Sequence, residues 1–133
     1  MSAVFDTNVW VSAFQFGGRA AELVQLAKDG EIEVFLSQAI LDETLRVLRE
    51  KFEWQPYEIH ALRHRLLKTC KLVEPTVRLS VLGDEPDNRI LECAQEAASQ
   101  FIITEDKAML RLKEHAGAKI VRVSEFIAAG RER

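Results

Sequence analysis

The chain has 133 residues, of which 47% are hydrophobic and 29% are charged, and its formal net charge is −3 at pH 7. This composition is typical of a globular protein with a substantial core, and it excludes an intrinsically disordered chain. The acidic balance argues against a DNA-binding protein with a broad basic surface, but it is compatible with an enzyme that has a local basic rim. The length predicts a single domain over residues 1–133.

The cysteines and the hydropathy pattern predict a cytoplasmic protein. Cys70 and Cys93 are isolated in the sequence and fall at apolar positions of helical patterns, so we expect two buried free thiols. The first residues lack the pattern of a signal peptide, and no run approaches 18 apolar residues. We therefore expect no membrane partner.

Short apolar segments alternate with helical patterns along the chain. Strands are predicted at Ala3–Asp6, Glu33–Leu36, Lys71–Val73, Phe101–Thr104 and Lys119–Val123. Their nearly continuous apolar character suits parallel strands that are covered on both faces. The alternation predicts an α/β fold, a three-layer α/β/α sandwich with a central parallel sheet.

Apolar residues with a 3.6-residue period predict helices between these strands. Their boundaries are indicated by a stop at Gly30, an N-cap at Ser37 and a first-turn proline at Pro56. Two later helices are predicted to start near Arg89 and to span Lys107–His115.

Four acidic residues are expected near the carboxyl edge of the predicted sheet. Asp6 ends the first strand, and Asp106 comes shortly after the fourth. Asp87 lies just before a predicted helix, and Glu43 lies one to two turns into another. Sites in open parallel sheets form beyond the carboxyl ends of the strands, so these acids are predicted to form one cluster.

Such a cluster would be unstable without a cation. Two like charges 4 Å apart repel by roughly 4 kcal/mol at an effective dielectric constant of about 20. No Lys or Arg lies within a few residues of Asp6 to compensate. Oxygen ligands favour Mg²⁺ or Mn²⁺, and the lack of an HExxH motif or a Cys/His cluster argues against zinc. One or two Mg²⁺ or Mn²⁺ ions are therefore predicted.

Each acid also has a purely structural interpretation. Asp6 could cap a turn after its strand, and Asp106 could cap the short helix that follows it. For Asp84 a cap or turn role is favoured, whereas Glu43 taken alone would be a solvated helix residue. The joint placement of the acids at strand ends favours the metal site over these separate roles.

Four segments resemble, in order, the motif blocks of PIN-domain ribonucleases, and in particular the VapC-like toxin branch. They read "VFDTNVWVSA", "SQAILDETLRVL", "DEPDNRILECA" and "FIITEDKAML", and the likeness runs from Ala3 to Phe126. The resemblance implies a PIN-like sandwich and a Mg²⁺- or Mn²⁺-dependent endoribonuclease that hydrolyses RNA phosphodiester bonds. It also implies the toxin of a type II toxin–antitoxin pair, with an antitoxin protein as partner and a homodimer as the assembled state.

The resemblance also assigns roles to residues. The catalytic and metal-binding acids of the family fall on Asp6, Glu43, Asp87 and Asp106. Supporting positions beside these ligands fall on Asn8, Thr104 and Asp84. One departure is Glu105, which stands where many relatives have glycine and could add a carboxylate to the rim.

Basic, histidine and aromatic side chains are also assigned expected roles. Candidates for contacts with RNA phosphates near the cleft edge are Arg19, Lys107 and Arg111. The side chains expected to face solvent on helices are those of His60, His64 and His115. Packing in the core or at an interface, rather than stacking on bases, is expected for Trp10 and Phe14.

Two other classes of function remain open from the sequence. A PIN-fold module that binds RNA or protein without cleaving it would have a broken acidic quartet, whereas the quartet here is complete. A phosphotransfer domain is less favoured. A phosphatase of the haloacid-dehalogenase type needs a second aspartate two residues after the first, where this chain has Asn8, and a receiver needs paired acids at its first strand.

Overall fold

The computed structural model describes residues 1–131 as one mixed sheet with helices packed around it. The strands are β1 (Ser2–Phe5), β2 (Glu33–Leu36), β3 (Lys71–Leu72), β4 (Phe101–Ile103), β5 (Glu114–His115) and β6 (Ala118–Val121). The helices are α1 (Thr7–Gln15), α2 (Gly18–Lys28), α3 (Gln38–Phe52), α4 (Pro56–Thr69), α5 (Glu85–Ala97), α6 (Lys107–Leu112) and α7 (Val123–Arg131). The predicted α/β sandwich is confirmed, and each predicted strand is found within one or two residues of its expected ends.

The order of the strands locates a crevice beside β1. The order is β3-β2-β1-β4-β6-β5, and every neighbouring pair is parallel except β5 with β6. The chain moves from β1 outward to β3 and then returns to the other side of β1 at β4. This reversal makes the gap between β1 and β4 the topological switch point, where open α/β sheets bind their ligands beyond the strand ends.

Strand β1 is buried on both faces. Successive residues of a strand point to opposite faces, and Ala3, Val4 and Phe5 are all fully buried. The Trp10 side chain is also buried, with its ring centroid 4.7 Å from that of Phe5 and 6.1 Å from that of Phe14. The predicted packing of the two aromatic side chains in and against the core is confirmed.

Several local predictions hold. The Ser37 hydroxyl caps α3 by accepting a hydrogen bond from the Ile40 backbone N–H (3.3 Å), and Pro56 opens α4. Cys70 and Cys93 are buried free thiols. Within residues 1–131 no helix is both long and apolar enough to cross a bilayer.

The predicted start of the fourth helix is wrong. Helix α5 begins at Glu85 rather than near Arg89, so Asp87 lies in its first turn. Pro86 explains the early start, because its fixed φ suits the first turn of a helix and its missing N–H has no partner to lose there.

The predicted helix over Lys107–His115 is also too long. Helix α6 ends at Leu112, because Lys113 adopts a left-handed conformation with φ of 64°. The chain then forms β5 and turns back onto β6. His115 is therefore a half-buried strand residue rather than an exposed helix residue, and its burial lowers the pKa of the imidazole. His60 and His64 face solvent on α4 as predicted.

Candidate active site

Asp6 lies at the switch point and ties β1 to β4. Its backbone N–H donates to the Ile103 carbonyl at the end of β4 (2.9 Å). Its side chain is 3% exposed, and Oδ2 accepts a hydrogen bond from the Thr104 hydroxyl at 2.6 Å. Oδ1 accepts a longer bond from the backbone N–H of Asn8 (3.4 Å), which makes Asp6 the N-cap of α1. Asp6 thus caps helix α1, where the structural interpretation of the sequence placed a capped turn, and it is also a buried carboxylate at the strand ends.

The Thr104 hydroxyl connects two of the predicted acids. It is fully buried, donates to Asp6 and accepts a hydrogen bond from the Asp106 backbone N–H (3.0 Å). Asp106 Oδ2 in turn accepts from the Met109 backbone N–H (2.9 Å) and caps α6, as its structural interpretation predicted. Both carboxylates are therefore held in fixed orientations by short polar contacts.

Asp87 comes from the other side of the crevice, in the first turn of α5. Its side chain is 9% exposed, and burial raises its pKa from 3.8 to about 7, with further contributions from the charges of Asp6, Asp106 and Asp84. Burial also raises the pKa of Asp6, where the hydrogen bond from Thr104 opposes the shift and the charge of Asp106 adds to it. Three of the predicted acids are thus close enough to repel one another.

The supporting residues Asp84 and Asn8 occupy different positions. Asp84 is exposed at the N-cap position of α5, but its side chain makes no capping hydrogen bond. Its charge contributes to the raised pKa of Asp87. Asn8 is exposed and reaches Asp6 through its backbone N–H. Their support of metal ligands stays a prediction.

The Glu43 carboxylate is engaged in an ion pair on its own helix. Both of its carboxylate oxygens bind Arg46, with Oε1 to Nη2 at 2.6 Å and Oε2 to Nε at 3.2 Å, and Arg46 also binds Glu50. Glu43 does not contribute to the pKa shifts of Asp6 or Asp87. The structure brings together Asp6, Asp87 and Asp106, and it holds Glu43 on the neighbouring helix α3.

A cleft of about 360 Å³ lies beside Glu43. It is lined by Thr7, Ala39, Ile40, Glu43, Arg78, Glu85, Pro86 and Arg89. Thr7 directly follows Asp6 and Pro86 directly precedes Asp87, so the cleft borders the aspartate site. A larger cavity of about 460 Å³ between α2 and α7 contains none of the predicted site residues.

The remaining predicted positions lie at the surface. The side chains of Arg19, Lys107 and Arg111 are exposed, and their contact with RNA stays a prediction. Glu105 does not join the rim: its Oε2 accepts from the Val123 backbone N–H (2.9 Å) at the start of α7, and its Oε1 lies 3.5 Å from Arg122. The residue that replaces glycine therefore caps the last helix.

A polar stripe on α5 was not predicted from the sequence. Its members are Glu85, Asn88, Arg89, Glu92 and Glu96. They recur with helical spacing, so they share one face beside the apolar stripe of the same helix. The helical spacing of these polar residues is the sequence signal that could have identified the stripe. Two of its members, Asn88 and Glu92, are buried.

The polar stripe holds the segment between β3 and α5, residues 73–84, which we call the strap. Glu92 accepts from the Leu79 backbone N–H (2.7 Å), and Arg89 donates to the Leu79 carbonyl (2.9 Å). Asn88 Oδ1 accepts from the backbone N–H groups of Val81 and Leu82, at 3.0 and 2.8 Å. Side chains of α5 thus supply hydrogen bonds that a neighbouring strand would supply in a sheet.

Replacing Asn88 by Ala should destabilise the fold by about 2–4 kcal/mol. The fully buried amide also donates to the Leu82 carbonyl (2.8 Å), so its removal leaves several backbone groups of the strap without partners. Urea unfolding measures the change. Gln25→Ala is the matched control, because it removes an exposed amide with one bond to Asp29 and should change stability by less than about 0.5 kcal/mol. Equal effects of the two substitutions would contradict this role of Asn88.

The chemistry of the three aspartates is of the kind that hard divalent cations prefer. Their donors are all oxygens, and burial together with nearby negative charge raises the pKa values of Asp6 and Asp87, an effect that a cation would oppose. Within the part of the chain that the structure describes, no three His, Cys, Asp or Glu side chains form a ready ligand set. Mg²⁺ commonly keeps several waters and binds one or two carboxylates directly, so it suits this looser arrangement.

The chain is therefore an α/β protein with a buried acidic site at the switch point of its sheet. The PIN-domain profile matches residues 2–108, which include all four predicted acids, and the chain belongs to the PIN-domain family. Its fold is similar to a solved structure described as VapBC2 from Rickettsia felis bound to a DNA fragment from their promoter. That match has a TM-score of 0.62 and 13% sequence identity, and it covers 92% of this chain and 98% of the other. No curated protein matches the sequence.

Proposed function

We propose that this chain is an endoribonuclease that depends on Mg²⁺ or Mn²⁺. The observation that carries the proposal is the convergence of Asp6, Asp87 and Asp106 at the switch point, where burial and the charge of Asp106 raise the pKa values of Asp6 and Asp87. Membership of the PIN-domain family supports the same activity.

Asp6 and Asp106 would hold the principal cation, with Asp87 as a direct or water-bridged ligand. When bound, the cation supplies a water of lowered pKa and neutralises charge that develops on the phosphate. Thr104 fixes the orientation of the Asp6 carboxylate through its 2.6 Å hydrogen bond, and the Met109 N–H fixes that of Asp106. With a pKa of about 7, the Asp87 carboxyl would be partly protonated near neutral pH without a cation and would lose its proton on cation binding.

Glu43 would act from the cleft side of the site. It lines the cleft next to Thr7 and Pro86, the chain neighbours of two of the ligands. From there its carboxylate would orient the attacking water or complete a second cation site. Either role requires Glu43 to break its two hydrogen bonds with Arg46.

We further propose that the protein is the toxin of a type II toxin–antitoxin pair, with an antitoxin protein as its partner. The support is family membership together with a fold like that of VapBC2 from Rickettsia felis. The homodimer, the single domain over residues 1–133 and the cytoplasmic location stay predictions.

Cleavage of labelled single-stranded RNA by the purified protein tests the activity. We expect cleavage with Mg²⁺ or Mn²⁺, none in EDTA, and a loss of at least about 100-fold in Asp106→Asn. Equal cleavage by wild type and Asp106→Asn would indicate a contaminating nuclease. Absence of cleavage, with cation binding intact in calorimetry, would favour the non-cleaving PIN module instead.

A further inference from the structure

Two clefts join along the strap to form a groove that starts at Thr7 and Pro86, the chain neighbours of Asp6 and Asp87. The cleft next to Thr7 shares Ala39, Arg78 and Arg89 with a second cleft of about 340 Å³. The second cleft continues past the start of α3 to Thr76 on the strap. The groove therefore leads from the proposed catalytic site along one side of the strap.

The two arginines of this groove have different environments. The Arg89 side chain is 12% exposed and is bound by Glu85 at 3.1 Å, Glu92 at 2.8 Å and the Leu79 carbonyl. The Arg78 side chain is 76% exposed, and its guanidinium lies 3.9 Å from Glu85. Arg89 is thus committed to holding the strap, whereas Arg78 presents its charge to the groove.

Three of the four acidic side chains that line the groove have an arginine partner, and each of these arginines also binds a second carboxylate. Glu43 is bound by Arg46, and Glu85 and Glu92 are bound by Arg89. Glu74 on the strap is exposed to solvent. A phosphate near Arg78 therefore meets a cation whose nearest carboxylate is already paired with a second arginine.

We propose that Arg78 binds a backbone phosphate of single-stranded RNA in this groove, beside the scissile position, and that Arg89 positions the strap that carries it. The inference rests on the proposed ribonuclease function and identifies the part of the surface along which the substrate lies. Arginine suits this role because its planar fork binds phosphate oxygens in a bidentate manner.

The test measures RNA binding separately from cleavage. Binding of a short fluorescein-labelled single-stranded RNA is followed by anisotropy at several salt concentrations in Mg²⁺, with Asp6→Asn as the background so that the RNA stays intact. Adding Arg78→Ala should weaken binding on the order of fivefold and reduce the slope of log affinity against log salt by about 0.7, the value for one lost phosphate contact on a single strand. Arg78→Lys keeps the charge and should restore the slope.

Arg63→Ala is the matched control, because it removes the same charge from α4, outside both clefts. It should leave affinity and slope close to those of the background. Equal losses in the Arg78 and Arg63 variants would reflect net charge alone and would overturn the assignment of Arg78. If the background protein does not bind RNA, the groove is also overturned as an RNA path. RNA cleavage by the wild type, measured independently, tells whether the ribonuclease proposal fails as well.

Discussion

Replacing Asp6 by Asn is expected to abolish cation-dependent RNA cleavage without destabilising the fold. The substitution removes a buried carboxylate whose raised pKa shows that its ionisation is costly in the folded protein. Asn has nearly the same shape, and its side-chain oxygen can still accept the hydrogen bond from Thr104. Removing a side chain that only supports a metal ligand typically lowers metal affinity roughly 10- to 100-fold. Asp6 is proposed as a ligand itself, so we expect its loss to lower cation affinity by at least this much.

Three measurements separate the parts of this prediction: Mn²⁺ titration by calorimetry, RNA cleavage, and urea unfolding in EDTA. Asp42→Asn is the control, since it removes the same charge from an exposed position of α3 and keeps the oxygen that accepts from Gln38 (2.8 Å). It should behave as wild type in all three. If Asp6→Asn retains wild-type cleavage and Mn²⁺ affinity, Asp6 is only the N-cap of α1.

The parts of the site that the sequence could predict are those set by local patterns. An apolar run that stops at polar residues marks the end of a parallel strand, which is why β1 with Asp6 and β4 with Thr104 were correctly placed. The parallel arrangement then brings those two strand ends together. The Glu43–Arg46 pair also follows a local rule, the i,i+3 spacing on a helix.

The missed features depend on tertiary contacts or on ambiguous local patterns. Helix α1 follows β1 immediately, and its consecutive apolar residues Val9, Trp10 and Val11 obscure a helical period because nearly its whole surface is buried. The strap has no periodicity of its own. Its path is fixed by α5 side chains such as Asn88, whose role becomes visible only once the strap lies against that helix.

The pairing of Glu43 with Arg46 has a similar origin. Its position on α3 places it in the cleft that Thr7 and Pro86 also line. Whether its carboxylate binds Arg46 or faces the aspartates is decided by side-chain rotamers and by the competing charges. Hydrophobic periodicity carries no information about that choice.

In the cation-free protein, the wild type is expected to lose stability as pH rises from about 4 to 7. The Asp87→Asn variant is expected to lack this pH dependence. The folded-state pKa of Asp87 is raised from 3.8 to about 7, so in this range the folded protein keeps a proton that the unfolded chain has released. The folded state is then favoured at low pH, and this contribution disappears as pH rises through 7. It amounts to about 2–4 kcal/mol, and Asp6 acts in the same direction.

Urea unfolding in EDTA at pH 5 and pH 7 provides the measurement, with each variant compared with wild type so that the other acids cancel. Asp87→Asn should gain stability relative to wild type as pH rises, whereas Asp42→Asn should show no such trend. Mn²⁺ should then stabilise the wild type more at pH 7 than at pH 5, because it binds the ionised carboxylates and competes with the proton on Asp87. A parallel pH dependence of Asp87→Asn and wild type would mean that Asp87 ionises as a solvated acid. Asp87 would then not be coupled to Asp6 and Asp106, and its assignment as a ligand of the same cation would be overturned.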